Sequence, residues 1–108
     1  LRYYLHEHGM RVEETSDLDR VIGEVDVVYQ TRAQKEYAPD PHAHDGLAPY
    51  IIDRRMAERM KKGAIILHPL PRNNELSREV DSLPQQRYFD QMYYGRLIRA
   101  ALLEEIIR

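Results

Sequence analysis

The chain has 108 residues, 43% of them apolar and 31% charged, with 16 Lys and Arg against 18 Asp and Glu for a formal net charge of −2. That length allows one domain at most, the apolar fraction argues for a packed core over disorder, and the balanced charge offers neither a nucleic-acid footprint nor a basic membrane patch. Cysteine is absent, which excludes disulfides, thiolate metal sites and a cysteine nucleophile and is compatible with a reducing cytosol, so a cytoplasmic setting is expected.

In chain order, Leu1 to Gly9 read as the back half of a helix. Leu1, Tyr4, Leu5 and His8 fall at helical spacing, and Gly9 suits the left-handed position just past a helix end. No capping residue, initiator Met or signal-peptide pattern stands at Leu1, and the expectation is a chain cut from a longer one. Met10 to Glu14 is predicted as a weak strand. Ser16 is the expected cap of a short helix, with Asp19 at capping-box spacing and Leu18, Val21 and Ile22 on one side. Val25 to Tyr29 is a β-branched strand, followed by Gln30-Thr31-Arg32-Ala33-Gln34-Lys35-Glu36. Residues 37 to 49, with prolines at 39, 41 and 49, read as an exposed loop. Tyr50 to Ile52 is assigned to a short strand. Asp53 is a good cap for a helix over Arg54 to Lys62, which Gly63 closes. Ala64 to Leu67 is an apolar run of the kind buried in a parallel sheet, and it ends in His68-Pro69-Leu70-Pro71-Arg72. The last element spans Pro84 to Ile107. Phe89, Tyr93, Leu97 and Ala101 form one row on it, and Ile98, Leu102 and Ile106 form a second. No apolar run approaches the roughly 18 residues of a membrane span. The expected class is α/β: three layers, a mostly parallel sheet flanked by helices, and a long C-terminal helix.

In an open α/β sheet, ligands sit beyond the carboxyl ends of the strands. Arg32 supplies a planar fork suited to a carboxylate or phosphate. Gln34, two residues on, shares its side of an extended chain. Together they can hold a small anionic amino acid; a plain loop edge is the alternative. In His68-Pro69-Leu70-Pro71-Arg72 two prolines stiffen the backbone and remove two N–H donors, which leaves carbonyls free to accept from an amine or a carbamoyl NH2. Leu70-Pro71 is a candidate cis peptide; a stiffened turn without a ligand is the alternative. His42-Ala43-His44-Asp45 has metal-ligand residue types without further ligands nearby and reads as a solvated loop. The glycines at 9, 23, 46, 63 and 95 form no phosphate-binding spacing. Tyr88, Tyr93 and Tyr94 read as packing residues.

Three collinear blocks resemble the aspartate carbamoyltransferases. Asp26 to Glu36 is similar to that family's strand and TRxQKE segment. His68 to Arg72, with Glu75 and Val80-Asp81, resembles its HPLPR motif and following loop. Tyr88-Phe89-Asp90-Gln91, Gly95, Arg99 and Ala101-Leu102-Leu103 resemble its last helix. The blocks match about the last third of a family catalytic chain.

The resemblance implies that Arg32 binds a carboxylate of aspartate and that Gln34 helps hold its α-carboxylate or amino group. It implies that the carbonyls of Pro69 and Leu70 accept from the carbamoyl group and the incoming amine, while His68, Pro71, Arg72 and Glu75 support the loop. The implied reaction moves a carbamoyl group from carbamoyl phosphate to L-aspartate, a step toward pyrimidines, without metal or organic cofactor. The implied enzyme is a homotrimer, with regulatory or pathway partners left open. The family's STRT phosphate loop is not in this sequence, nor are its upstream His and second Arg or the Ser and Lys lent by a neighbouring subunit. No catalytic residue is therefore assigned, and turnover by these residues alone is not expected. Residues 1–83 are expected to be part of an aspartate-binding domain, and 84–108 a helix that packs on the carbamoyl-phosphate domain. Two positions depart from the pattern: Tyr37 stands where many relatives have Arg, and Tyr93-Tyr94-Gly95 replaces Asn-Gly. The alternatives are a carbamoyltransferase for ornithine or another amine, against which Pro69 stands where ornithine enzymes carry Cys, and a non-catalytic interaction domain.

Overall fold

The computed structural model describes residues 2–32 and 50–108. Helix α1 spans Arg2–Glu7. It stops because Gly9 takes φ +69° and its N–H donates to His6, while the Met10 N–H donates to Leu5 at 2.9 Å. These two bonds make the helix-ending motif that the position of Gly9 predicts. Met10 to Glu14 then form no strand; Met10 is 55% and Val12 42% exposed. A strand needs a neighbouring ladder for its backbone groups, and no described segment offers one here.

Helix α2, Leu18–Val21, is capped by Asp17 and not by Ser16: the Asp17 carboxylate accepts from the Arg20 N–H at 3.1 Å, and Thr15 Oγ1 accepts from the Asp17 N–H at 3.0 Å. Strand β1 spans Val27–Tyr29, shorter than the predicted run. Tyr50 to Ile52 form no continuous strand; Ile52 makes a single parallel pairing with Leu76, through its N–H to Glu75 O and its carbonyl to the Ser77 N–H, both 2.9 Å. Asp53 caps α3, Arg54–Glu58, and accepts from the Met56 N–H at 2.7 Å. The helix ends before Lys62, and a turn closed by Gly63 at φ +86° leads into β2, Ile65–Leu67.

The two strands run parallel, with Val27, Val28 and Tyr29 opposite Ile65, Ile66 and Leu67. On the other edge of β2 the Ile66 N–H donates to Gln85 O at 2.7 Å and its carbonyl accepts from the Arg87 N–H at 3.1 Å. This pairing explains why helix α4 runs over Tyr88–Ile107 and does not begin at Pro84. The Gln85 carbonyl and the Arg87 N–H are already committed to the sheet.

The core lies between α2, α3, β2 and the 3₁₀ turn at Arg78–Ser82, with Ile22, Ile52, Ile66 and Val80 all 0% exposed. The architecture is α/β, a parallel sheet flanked by helices and closed by a long terminal helix. Tyr88 anchors the first turn of α4 in that core. Beyond it the apolar rows are open, with Leu97 at 47%, Ile98 at 60% and Leu102 at 57% exposure. No described helix is long and apolar enough to cross a membrane.

Candidate functional site

Parallel pairing makes β1 and β2 end at the same edge of the sheet. The ladder closes with the Gln30 N–H donating to Leu67 O at 3.0 Å. From there one chain runs to Thr31 and Arg32, the other to His68-Pro69-Leu70-Pro71-Arg72. Arg32 is half-buried just past β1. Gln34 lies outside the described residues, as do Tyr37 and the His42-Ala43-His44-Asp45 segment.

The loop after β2 is organised around a buried imidazole. His68 is 1% exposed. Its Nδ1 accepts from the Leu70 N–H at 2.8 Å, so the ring proton sits on Nε2, which donates to Glu75 Oε1 at 2.9 Å. The contact with Glu75 is thus a hydrogen bond from a neutral ring to a carboxylate. Burial alone would raise the Glu75 carboxyl. The backbone N–H groups of Asn73 and of Glu75 itself, together with the His68 ring, outweigh burial and hold the carboxyl below its usual range. The Asn73 N–H reaches both carboxylate oxygens, at 3.0 and 3.2 Å.

Leu70 sits at φ +49°, left-handed for a residue with a side chain, and the Leu70-Pro71 peptide is cis, as the sequence suggests. The left-handed region costs a non-glycine residue about 1–2 kcal/mol. The Leu70 N–H bond to His68 and the two flanking prolines hold it there. No described donor reaches the carbonyl oxygen of Pro69 or Leu70. Pro69 is exposed and Leu70 half-buried.

Arg72 closes the loop. Its guanidinium grips Asp81 by both nitrogens, Nη2 to Oδ2 at 2.7 Å, and Nη1 also donates to the Tyr88 oxygen at 3.1 Å. The Tyr88 hydroxyl in turn donates to Asp81. Hydrogen bonding to Arg72 holds the Asp81 carboxyl below its usual range. Burial, reinforced by the bond to Asp81, pushes the Tyr88 hydroxyl up to about 12. Arg72 is therefore committed inside the protein.

The first turns of α4 supply two contacts that the sequence reading did not assign to the site. Tyr88 holds Arg72 and Asp81. Gln91, three residues on, accepts from the His68 backbone N–H at 2.9 Å and donates to the Tyr29 hydroxyl at 3.2 Å. A polar residue three positions after an aromatic at a helix start is too common a pattern to single them out. An open cleft of about 830 Å³ borders Asn73, Asn74, Ser77 and Arg78; Arg32, Pro69 and Leu70 do not line it.

Residues 1–106 match the family described as aspartate/ornithine carbamoyltransferase, Asp/Orn binding domain. The chain is 49% identical over 98 residues to the aspartate carbamoyltransferase catalytic subunit of Thermoplasma acidophilum, covering 90% of this chain and 32% of that one. It is 49% identical over 105 residues to the corresponding subunit of Methanothermobacter thermautotrophicus, covering 95% and 33%. A crystal structure of aspartate transcarbamoylase from Trypanosoma cruzi in complex with carbamoyl phosphate and aspartate is similar at a TM-score of 0.84 and 38% identity, covering 94% of this chain and 34% of that one. The chain spans about a third of the length of the curated relatives it matches.

Proposed function

The chain belongs to the aspartate/ornithine carbamoyltransferase family through its Asp/Orn-binding domain, and we propose that it supplies the amino-acid side of an aspartate carbamoyltransferase site. The reaction joins the amine nitrogen of L-aspartate to the carbonyl carbon of carbamoyl phosphate. The carbon–oxygen bond to phosphate breaks, phosphate leaves with that electron pair, and the amine gives up a proton. The product, N-carbamoyl-L-aspartate, feeds pyrimidine synthesis.

The observation that carries this reading is the common exit of two loops at one end of the β1–β2 pair. One bears the Arg32 guanidinium and the other bears the Pro69 and Leu70 carbonyls. Arg32 holds a carboxylate of aspartate, and Gln34 assists. The two carbonyls accept from the amine and the carbamoyl NH2. His68, Pro71, Arg72 and Glu75 shape the loop. Work done by such a site is positioning and electrostatic complementarity, with no cofactor called for. Carbamoyl phosphate itself is held by groups outside these 108 residues. The exposed rows of α4 support packing of residues 84–108 against the part that binds it, with residues 1–83 forming the aspartate-binding part. Homotrimeric assembly and a cytoplasmic setting, with no nucleic-acid or membrane partner, complete the reading.

Arg32→Ala in the catalytically complete enzyme tests it. Aspartate-dependent carbamoyl transfer should fall by at least roughly a hundredfold, the scale for losing a charge-assisted bidentate contact. Ornithine should remain a poor acceptor. A near-normal rate with aspartate removes Arg32 from the site, and a preference for ornithine replaces the substrate.

A further inference from the structure

The five residues from His68 to Arg72 are tied down at both ends by one helical turn. At the first end, the His68 backbone N–H donates to Gln91 Oε1 at 2.9 Å. At the last, the Arg72 guanidinium donates to the Tyr88 oxygen at 3.1 Å, and Tyr88 also holds Asp81, the carboxylate that Arg72 grips. Tyr88 and Gln91 stand at positions i and i+3, so they share a face of α4. That face is in place because Gln85 and Arg87 pair with Ile66 immediately before the helix starts. Gln91 reaches across the loop as well, to the Tyr29 hydroxyl at the end of β1. One turn therefore contacts the ends of both strands from which the candidate site emerges.

Between the two tethers the loop is braced from within, by the Leu70 N–H on His68 Nδ1 and by His68 Nε2 on Glu75. Pro69 is exposed, and its nitrogen carries no hydrogen. Leu70 is held at φ +49°, a conformation that persists only when the surroundings fix it. A shift of either end moves the Pro69 and Leu70 carbonyls.

We propose that Tyr88 and Gln91 are positioning residues, through which the first turn of α4 sets where the Pro69 and Leu70 carbonyls stand. This rests on the reading of those carbonyls as acceptors for the reacting amine and carbamoyl group, and it adds the residues that aim them. Neither side chain touches substrate. Each acts through the loop.

The test compares Gln91→Leu, Gln91→Glu and Tyr88→Phe in the catalytically complete enzyme, with kcat expressed per folded enzyme. Gln91→Leu removes the acceptor for the His68 N–H, whereas Gln91→Glu keeps an oxygen there. Gln91→Leu should lower kcat by roughly tenfold to a hundredfold, the scale for a displacement of about 1 Å at a reacting group, with aspartate KM nearly unchanged. Gln91→Glu should restore most of the rate, and Tyr88→Phe should fall between. Hydrogen exchange supplies a readout independent of turnover. In Gln91→Leu it should speed up in the peptide carrying His68 and Leu70 and stay unchanged in peptides carrying Met56 and Val80. An unchanged kcat per folded enzyme in Gln91→Leu and Tyr88→Phe overturns the proposal. Exchange that rises equally in loop and core also overturns it, because the residues would then serve stability alone. If the parent enzyme shows no aspartate-dependent transfer, the functional reading has failed separately. Exchange then decides: confined to the loop it supports the tether, and spread through the core it overturns it.

Discussion

Tyr88→Phe carries a pH-dependent stability change whose sign and size follow from the structure. The ring is 0% exposed, and its hydroxyl donates to Asp81 while accepting from Arg72. A hydrogen bond to a charged group contributes about 1.5–3 kcal/mol. The low end applies here, because Arg72 still pairs with Asp81 in the variant and the Asp81 side chain is 34% exposed to water. The variant should thus lose about 1.5 kcal/mol at neutral pH. The folded hydroxyl titrates near 12 against 10.0 for an unperturbed tyrosine. The folded state therefore holds the proton more tightly, and the stability linked to it is complete below pH 10 and lost as pH rises toward 12. Each unit corresponds to about 1.4 kcal/mol, so the wild type should have lost about that much from this group by pH 11. Phenylalanine has nothing to titrate; groups that do not touch Tyr88 cancel in the difference, and its partners Asp81, held low, and Arg72, held high, keep their charges across this range. The gap of about 1.5 kcal/mol should close to near zero at about pH 11. Urea unfolding of both proteins at pH 7, 9, 10 and 11 reads it directly. A gap that stays constant across that range would refute the buried, hydrogen-bonded hydroxyl.

Two further outcomes follow from single contacts. Asp53→Ala removes the acceptor for the Met56 N–H at the start of α3 and should destabilise the protein by about 1 kcal/mol in urea unfolding, while Asp53→Asn should come within a few tenths. The Glu75 carboxyl is held below its usual range, so its contribution is present above the ordinary carboxylate pKa and lost as pH falls through the lower folded value. The stability gap between wild type and Glu75→Gln should accordingly narrow from pH 6 to pH 3 in thermal unfolding, and a gap that widens would contradict the assignment.

Features written in neighbouring residues were legible in the sequence. Gly9 ends α1 through its own positive φ, Asp53 caps α3 through its own carboxylate, and the β-branched run before Gln30 pairs with the run before His68. Features that depend on a distant partner were not. Met10 to Glu14 alternate like a strand but find no ladder among the described residues. The start of α4 moved from Pro84 to Tyr88 because Ile66, far away in sequence, takes the Gln85 carbonyl and the Arg87 N–H. Asp17 displaced Ser16 as a cap by one residue, within the ordinary uncertainty of helix boundaries. At the candidate site, the motif residues His68 to Arg72 form the loop that leaves the end of β2. The Arg72–Asp81–Tyr88 contact and the Gln91 tether were invisible because nothing local marks a side chain that reaches across the fold.

The loop's composition also decides which end of a ligand it can receive. Pro69 and Pro71 have no N–H to offer. The one N–H left between them, on Leu70, is turned inward onto His68 Nδ1. From Pro69 to Pro71 the backbone therefore presents acceptors and no available donors, a surface that suits an amine or an NH2 and disfavours a carboxylate. At the same end of the sheet Arg32 offers only donors. On the proposed reading, this polarity would orient an amino acid with its carboxylate toward Arg32 and its amine toward the loop. The same reading favours an acidic side chain, which would give Arg32 a second carboxylate, over the ammonium of ornithine, which would face a like charge. The polarity depends on His68 Nδ1, which accepts the Leu70 N–H and keeps it turned inward. Replacing His68 with a residue that cannot accept at that position should therefore loosen Leu70 and weaken amine positioning more than carboxylate binding. On the proposed reading, the proline-flanked leucine, the buried imidazole and the tether from α4 would act together to aim two carbonyls.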